Sequence, residues 1–396
     1  MLHRALSLGC MLAVSAASAA NAEDGQALLV RHCLPCHGAE AVAPISLATP
    51  ELVRRHRLLA EQLVADGTMP PSLALGNDRI RSRALSAGER DAVIAALRAG
   101  SAGAASPPRT AIEPGAQVAV AAAAWTMPAS GGARLRSFAA RVESMRARGV
   151  RFVDRGALAQ SPIRFVSIAA DPRGSMRRLE SGVGEAGVEA MGNVGPSPSG
   201  ALGALSRVGS EFRLPDGFHF EIPSGDIAIE VLCEPIGRPA DVRPQLELIP
   251  AAPGGSRPVR ALALPVRSLH LGAGECRAFE ARHRAPSDLE IVAVIVKGGA
   301  FLRTAAIDAG STRLLEVADF RMAFNEPWTL RTPLRVDAGA EIVARFGFDN
   351  TRDNPQQPSE PPRDVEAGLP PFGEDAIAVV LYAEVQPTSP RPSASP

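Results

Sequence analysis

Two thiols and an imidazole stand within five residues, at Cys33-Leu34-Pro35-Cys36-His37. That grouping suits covalent attachment of one haem c. Each thiol adds to a vinyl group as a thioether, and the imidazole binds the iron from the proximal side. Two other chemistries use a Cys-x-x-Cys pair. A redox dithiol accompanies a βαβ pattern, which the flanking sequence lacks. A zinc half-site needs a second Cys-x-x-Cys or a spaced histidine pair downstream, and neither follows.

An iron used for electron transfer takes a second axial ligand, and Met69 is the candidate. It lies in Asp66-Gly67-Thr68-Met69-Pro70-Pro71, where the prolines stiffen the loop. It is the only methionine between residues 12 and 126. Ligation by histidine and methionine raises the haem potential, which favours electron transfer over oxygen binding. The alternative for Met69 is a core-filling side chain. His56 falls in the stripe Leu52-His56-Leu59-Leu63, so a buried histidine is expected there rather than an iron ligand. His32 adjoins Cys33 but has no simple ligand geometry.

The elements that must position these residues read as helices. Residues 24 to 32 form a helix running into the haem motif. Thr49 caps a second helix with Pro50 at its first position. Ser86 and Glu89 form a capping box for a third, with Val93, Ile94 and Leu97 as its apolar stripe and Gly100 at its end. A cytochrome domain is expected over 23–104, with a Pro/Ala/Gly/Ser linker over 105–115.

Upstream, His3 and Arg4 precede an apolar run ending in Ala20-Asn21-Ala22, the pattern of a cleaved export signal over 1–22. Leu8-Gly9-Cys10 allows a lipoprotein reading, against which the preceding apolar stretch is short. A periplasmic or secreted bacterial protein is expected, without a membrane-spanning helix. Lys plus Arg and Asp plus Glu number 42 each, so the formal net charge is zero, and aromatics make up 4%. A nucleic-acid partner is not expected from either figure. Cys233 and Cys276 remain outside the motif; they are read either as a disulfide or as two separate thiols.

From 116 to 385 the pattern becomes short apolar or alternating runs between Pro/Gly turns. They include Ile163–Ala169, Ile227–Cys233, Leu289–Val296, Leu314–Phe320, Glu341–Phe348 and Ile377–Val385. Such spacing predicts antiparallel sandwiches. Two stacked units are expected, with a break near 250–265, then a disordered tail over 386–396. The expected fold is thus multidomain: a small all-α cytochrome c domain followed by an all-β tandem antiparallel sandwich.

Residues 33 to 100 resemble the class I-like cytochrome c modules at the N-terminus of certain bacterial fusion proteins. The matching stretches are Cys33–His37, Ala43–Thr49, Thr68–Pro71 and Leu85–Glu89. The resemblance implies that Met69 is the distal ligand. Residues 115 to 385 are similar to the copper type II ascorbate-dependent monooxygenases, relatives of the peptidylglycine and dopamine hydroxylases. That likeness rests on Glu341–Asn350, Asp353–Pro355, Glu360–Pro362, Leu381-Tyr382, Ile222–Gly225 and Pro235–Arg238. The positions it assigns to copper carry Arg164-Phe165, Leu232-Cys233-Glu234, Gly298, Ala300 and Ala376 instead of histidines and methionine. His219, His270 and His283 are scattered, and copper cycling between oxidation states needs clustered imidazole and thioether ligands. A haem sensor, which would need Met69 not to ligate, and a copper monooxygenase fed by its own haem are the alternatives. The expected function is electron transfer by one haem c beside a copper-free scaffold that docks a redox partner, for which an active monooxygenase paralogue is one candidate.

Overall fold

The structure is a computed structural model that describes residues 25–38, 45–70, 74, 79–80, 84–101, 111–153, 161–189, 200–206, 211–321, 325–369 and 373–385. The expected export signal, the Ala43-Pro44 part of one matching stretch, Pro71, most of the linker and the tail lie outside them.

The chain is mostly β. A six-stranded sheet orders Gln117–Val120, Gln245–Pro250, Met145–Phe152, Phe218–Ile222 and Arg257–Pro258, with Glu211–Arg213 also paired to Met145–Phe152. A five-stranded sheet orders Val188–Glu189, Arg134–Val142, Gly225–Cys233, Ile163–Asp171 and Ala201–Ser206. The two face each other through contacts of Gln117–Val120 with Arg134–Val142 and of Met145–Phe152 with Ala201–Ser206. A four-stranded sheet orders Arg260–Pro265, Ala376–Glu384, Leu289–Gly298 and Trp328–Val336. Its partner orders Cys276–Arg284, Glu341–Asp349, Leu302–Ala309 and Thr312–Val317. The result is a jelly-roll-like arrangement of sheets filled by one continuous apolar cluster, with Phe138, Phe165, Phe220, Phe301, Phe346 and Trp328 fully buried. Gly225–Cys233 and Leu289–Gly298 are buried along their whole length, or nearly so, which explains their continuous apolar sequences.

The expectation of a small all-α domain is corrected. Among the described residues before 101, the helical segments are residues 25–28 running into a π-helical turn at Leu29–Cys33, then Leu34–His37, Pro50–Ala65 and Ala87–Arg98. Between the two longer helices the chain leaves the helical cluster. Ala74 bridges Val317 and Ile80 bridges Leu330, and both residues belong to the β core. Unpaired strand edges offer backbone donors and acceptors, and here they capture the connection that the helical periodicity skipped. The 9-residue helix Ser175–Val183 lies inside the β region, so that region is not all-β.

Candidate functional site

The Cys33–His37 motif is helical. Leu29–Cys33 passes into Leu34–His37, with Pro35 near the start of the turn, where its missing N–H costs nothing. Leu29, Cys33 and Leu34 are buried in a small cluster with Leu47, Val53, Val64, Val93 and Leu97. Cys36 and His37 are half-buried on the same turn. At the start of this helical run Gly25 lies against the helix Ala87–Arg98. A Cβ there would come to 2.0 Å from the Ala92 carbonyl oxygen, so only glycine permits the contact.

His37 is held by the loop that follows it. Its Nδ1 donates to the Ile45 carbonyl at 2.8 Å, since a carbonyl can only accept. Leu47 N donates to the His37 carbonyl at 2.6 Å, and Ser46 Oγ donates to the Gly38 carbonyl at 3.1 Å. With Nδ1–H committed, the neutral ring presents Nε2 as its free lone pair. A histidine that binds a metal uses its other ring N–H in this way. Burial, and secondarily Cys36, push the Cys33 thiol up to about 12. A redox Cys-x-x-Cys works through a lowered thiol pKa, so the shift runs against that chemistry.

Met69 follows the helix Pro50–Ala65 in a tight turn. Gly67 adopts a φ of +79°, Thr68 N donates to Asp66 Oδ1 at 2.9 Å, and Met69 N donates to the Leu63 carbonyl at 2.8 Å. The Met69 side chain is half-buried against the cluster that contains Cys33. Cys33 and Met69 therefore share one apolar cluster, with Cys36 and His37 on the adjoining turn.

The stripe Leu52-His56-Leu59-Leu63 is corrected. The buried face of its helix is Val53, Ala60 and Val64. These small side chains let the helix pack closely on Ala87–Arg98, which offers Val93, Ala96 and Leu97. His56, Leu52 and Leu63 are half-buried, and Leu59 is 50% exposed. The expected buried His56 is thus on the partly open side of the helix.

The scattered histidines stay apart. His219 is buried with Nδ1 2.9 Å from Ser256 Oγ, His270 Nδ1 is 2.7 Å from Glu366, and His283 is exposed on another strand. Cys233 is buried and Cys276 exposed, each as a free thiol, so the disulfide reading is corrected. Met127 and Met176 are buried and Met145 half-buried, while Met191 and Met322 fall outside the described residues. Arg164 pairs with Glu234 at 2.8 Å, and Phe165 and Ala376 are core residues.

A second polar cluster was not visible in the sequence. Lys297, the only lysine of the chain, is 9% exposed and pairs with Glu230 of the five-stranded sheet. Ser167 Oγ donates to the same Glu230 oxygen at 3.0 Å. Burial pushes the ammonium down, but the carboxylates of Glu230, Asp375 and Glu374 outweigh it and hold Lys297 up. The Glu374 carboxylate accepts from Gly299 N at 2.5 Å and Phe301 N at 2.9 Å. Burial, and secondarily Asp375, push Glu374 up to about 8. Lys297, Glu374 and Asp375 border an 810 Å³ cavity whose wall includes Leu232, Glu234, Gly298 and Ala300. Four of the positions that the resemblance assigned to copper therefore meet at one cavity without contributing a metal-binding imidazole or thioether. The signal that could have found the cluster is a lone lysine inside an apolar strand.

No protein-family model matches the chain, and no curated protein matches it. Among solved structures, the major capsid protein P2 of bacteriophage PM2 is similar at a TM-score of 0.29 and 7% identity, over 68% of this chain and 98% of that one. A peptide-N(4)-(N-acetyl-β-D-glucosaminyl) asparagine amidase is similar at 0.31 and 9%, over 69% and 98%. A structure of infectious bursal disease virus, Gt strain, reaches 0.15 and 11%, over 71% and 80%. These scores lie below a shared fold. The resemblance to a cytochrome module fused to a copper monooxygenase is accordingly corrected: no family match supports it, and the described residues are mostly β, without a substantial all-α N-terminal domain among them.

Proposed function

We propose that the chain is an exported electron-transfer protein with one covalent haem c. The thioether links fall on Cys33 and Cys36, and the axial ligands are His37 Nε2 and Met69. The observation that carries this reading is the 2.8 Å hydrogen bond from His37 Nδ1 to the Ile45 carbonyl, which fixes the tautomer an iron ligand needs. The donor set fits the group: two cysteines and a histidine on one helical turn, and a half-buried methionine against the same cluster. When bound, the haem supplies a one-electron ferric/ferrous couple. The chain's own residues position it. The 45–48 loop holds the imidazole, and the Asp66–Thr68 turn sets the thioether side chain. The half-exposed side of Pro50–Ala65 offers an apolar surface. The β body then serves as the surface that docks a partner.

The test is purification of the mature protein from a host that matures c-type cytochromes. The reading expects one iron per chain, a haemochrome spectrum, and haem that survives denaturation and organic extraction. Haem that extracts freely, or no haem at all, would falsify it.

A further inference from the structure

A groove of 630 Å³ lies where the helix Ser175–Val183 leaves the five-stranded sheet. Arg141, Arg173, Arg177 and Arg178 surround it, and Asp226 is the only carboxylate in its wall. Arg177 consumes that carboxylate: its Nε and Nη2 bind the two Asp226 oxygens at 2.9 and 2.6 Å, and Asp226 is 3% exposed. Arg178 donates to the Arg173 carbonyl and to Ser175 Oγ, both uncharged. Arg141 and Arg173 are exposed and make no ion pair among the described residues. The groove thus holds an excess of three positive charges, in a chain whose formal net charge is zero.

The helix end is not what carries this excess. Asp171 already accepts from Ser175 N at 3.0 Å and Met176 N at 2.8 Å, so the first amides are taken. What remains is a set of planar guanidinium forks around an open space. Glycine keeps that space clear: at Gly174, with φ of +62°, a Cβ would stand 3.2 Å from Asp226 Oδ2. Guanidinium groups match tetrahedral oxyanions with paired N–H donors. A phosphate dianion offsets most of the excess and offers enough acceptor oxygens for several arginines, whereas a lone carboxylate leaves two charges unmatched.

We propose that this groove binds a phosphate group, either as the free anion or as the headgroup of an anionic lipid. The site is separate from the haem motif, so it stands or falls independently of the electron-transfer reading.

Isothermal titration of the mature protein with inorganic phosphate tests the free anion. Co-sedimentation with phosphatidylglycerol vesicles, against phosphatidylcholine vesicles, tests the headgroup. The double variant Arg141→Gln/Arg173→Gln is expected to weaken whichever interaction is found at least tenfold. Arg238→Gln, an exposed arginine without an ion pair elsewhere on the β body, is expected to leave it unchanged. Raising the salt should weaken binding through screening. Phosphate binding assigns the free anion, and vesicle binding without it assigns the headgroup. The proposal is overturned if neither probe binds, or if the double variant binds as the parent does.

Discussion

His37 and Ile45 are joined across eight residues by a hydrogen bond from the imidazole Nδ1 to the carbonyl, 2.8 Å long. It leaves Nε2 as the ring nitrogen open to the iron of the proposed haem site, where Met69 is the other axial candidate. Met69 is half-buried and packs against the cluster from its edge. Met69→Ala should therefore leave the chain folded and the haem covalently attached. It should abolish the thioether-to-iron charge-transfer band in the ferric spectrum. An unchanged band would show that another residue ligates.

Gly25→Ala sets two effects against each other. Alanine favours helix by about 1 kcal/mol over glycine. Its Cβ, however, would sit 2.0 Å from the Ala92 carbonyl oxygen, a backbone atom that cannot swing aside. Overpacking of this kind costs ~1–3 kcal/mol, so the clash wins. Amide exchange over Ala87–Arg98 should speed up accordingly. Slower exchange would mean that the two helices do not touch at this point.

Lys297 and Glu230 form a buried ion pair between two sheets. Removing one partner leaves the other charged and buried, which costs ~3–5 kcal/mol. Lys297→Met should thus lower the urea midpoint strongly. The double variant Lys297→Met/Glu230→Gln should recover part of the loss, because the carboxylate paired directly with the lost ammonium is gone too, while Asp375 stays without its counter-charge. If the single and double variants unfold at the same urea concentration, the pair contributes little beyond packing.

The local signals were legible and the long-range ones were not. Thr49 with Pro50, and Ser86 with Glu89, mark two helix starts that the structure reproduces, capping box included. The run Ile227–Cys233 finds its strand with two further residues at its start. The stripe on Pro50–Ala65 went wrong because two faces share helical spacing, and large leucines outweighed Val53, Ala60 and Val64 in the reading. Ser175–Val183 was missed because its cap comes from Asp171 at a strand end rather than from a capping residue of its own. Nothing local announces that Ala74 and Ile80 pair with strands some 240 residues away, or that Lys297 meets Glu230 across 67 residues. Within the candidate site, spacing brought Cys33, Cys36 and His37 to notice. The Ile45 carbonyl was not legible, because a backbone acceptor has no residue-type signature.

Glu374 gives the chain a pH dependence of stability in the neutral range. Its side chain is 1% exposed, and burial together with Asp375 pushes the acid up to about 8, against a model-compound value of 4.5. Between those values the folded chain binds a proton that the unfolded chain has released. Stability changes with pH as the difference in protons bound by the unfolded and folded states, which is negative here. The contribution is fully present below about 4.5, falls as pH rises, and is lost once pH passes about 8. Asp375 is raised by burial as well and acts in the same direction. Urea midpoints measured from pH 5 to 9 should decline, and Glu374→Gln should flatten much of that decline. The variant's amide keeps one acceptor oxygen and turns its NH2 toward either Gly299 N or Phe301 N, which bind different carboxylate oxygens, so it starts less stable and the comparison rests on the slope with pH rather than on the midpoint itself. A Glu374→Gln profile as steep as the parent's would place the titrating group elsewhere.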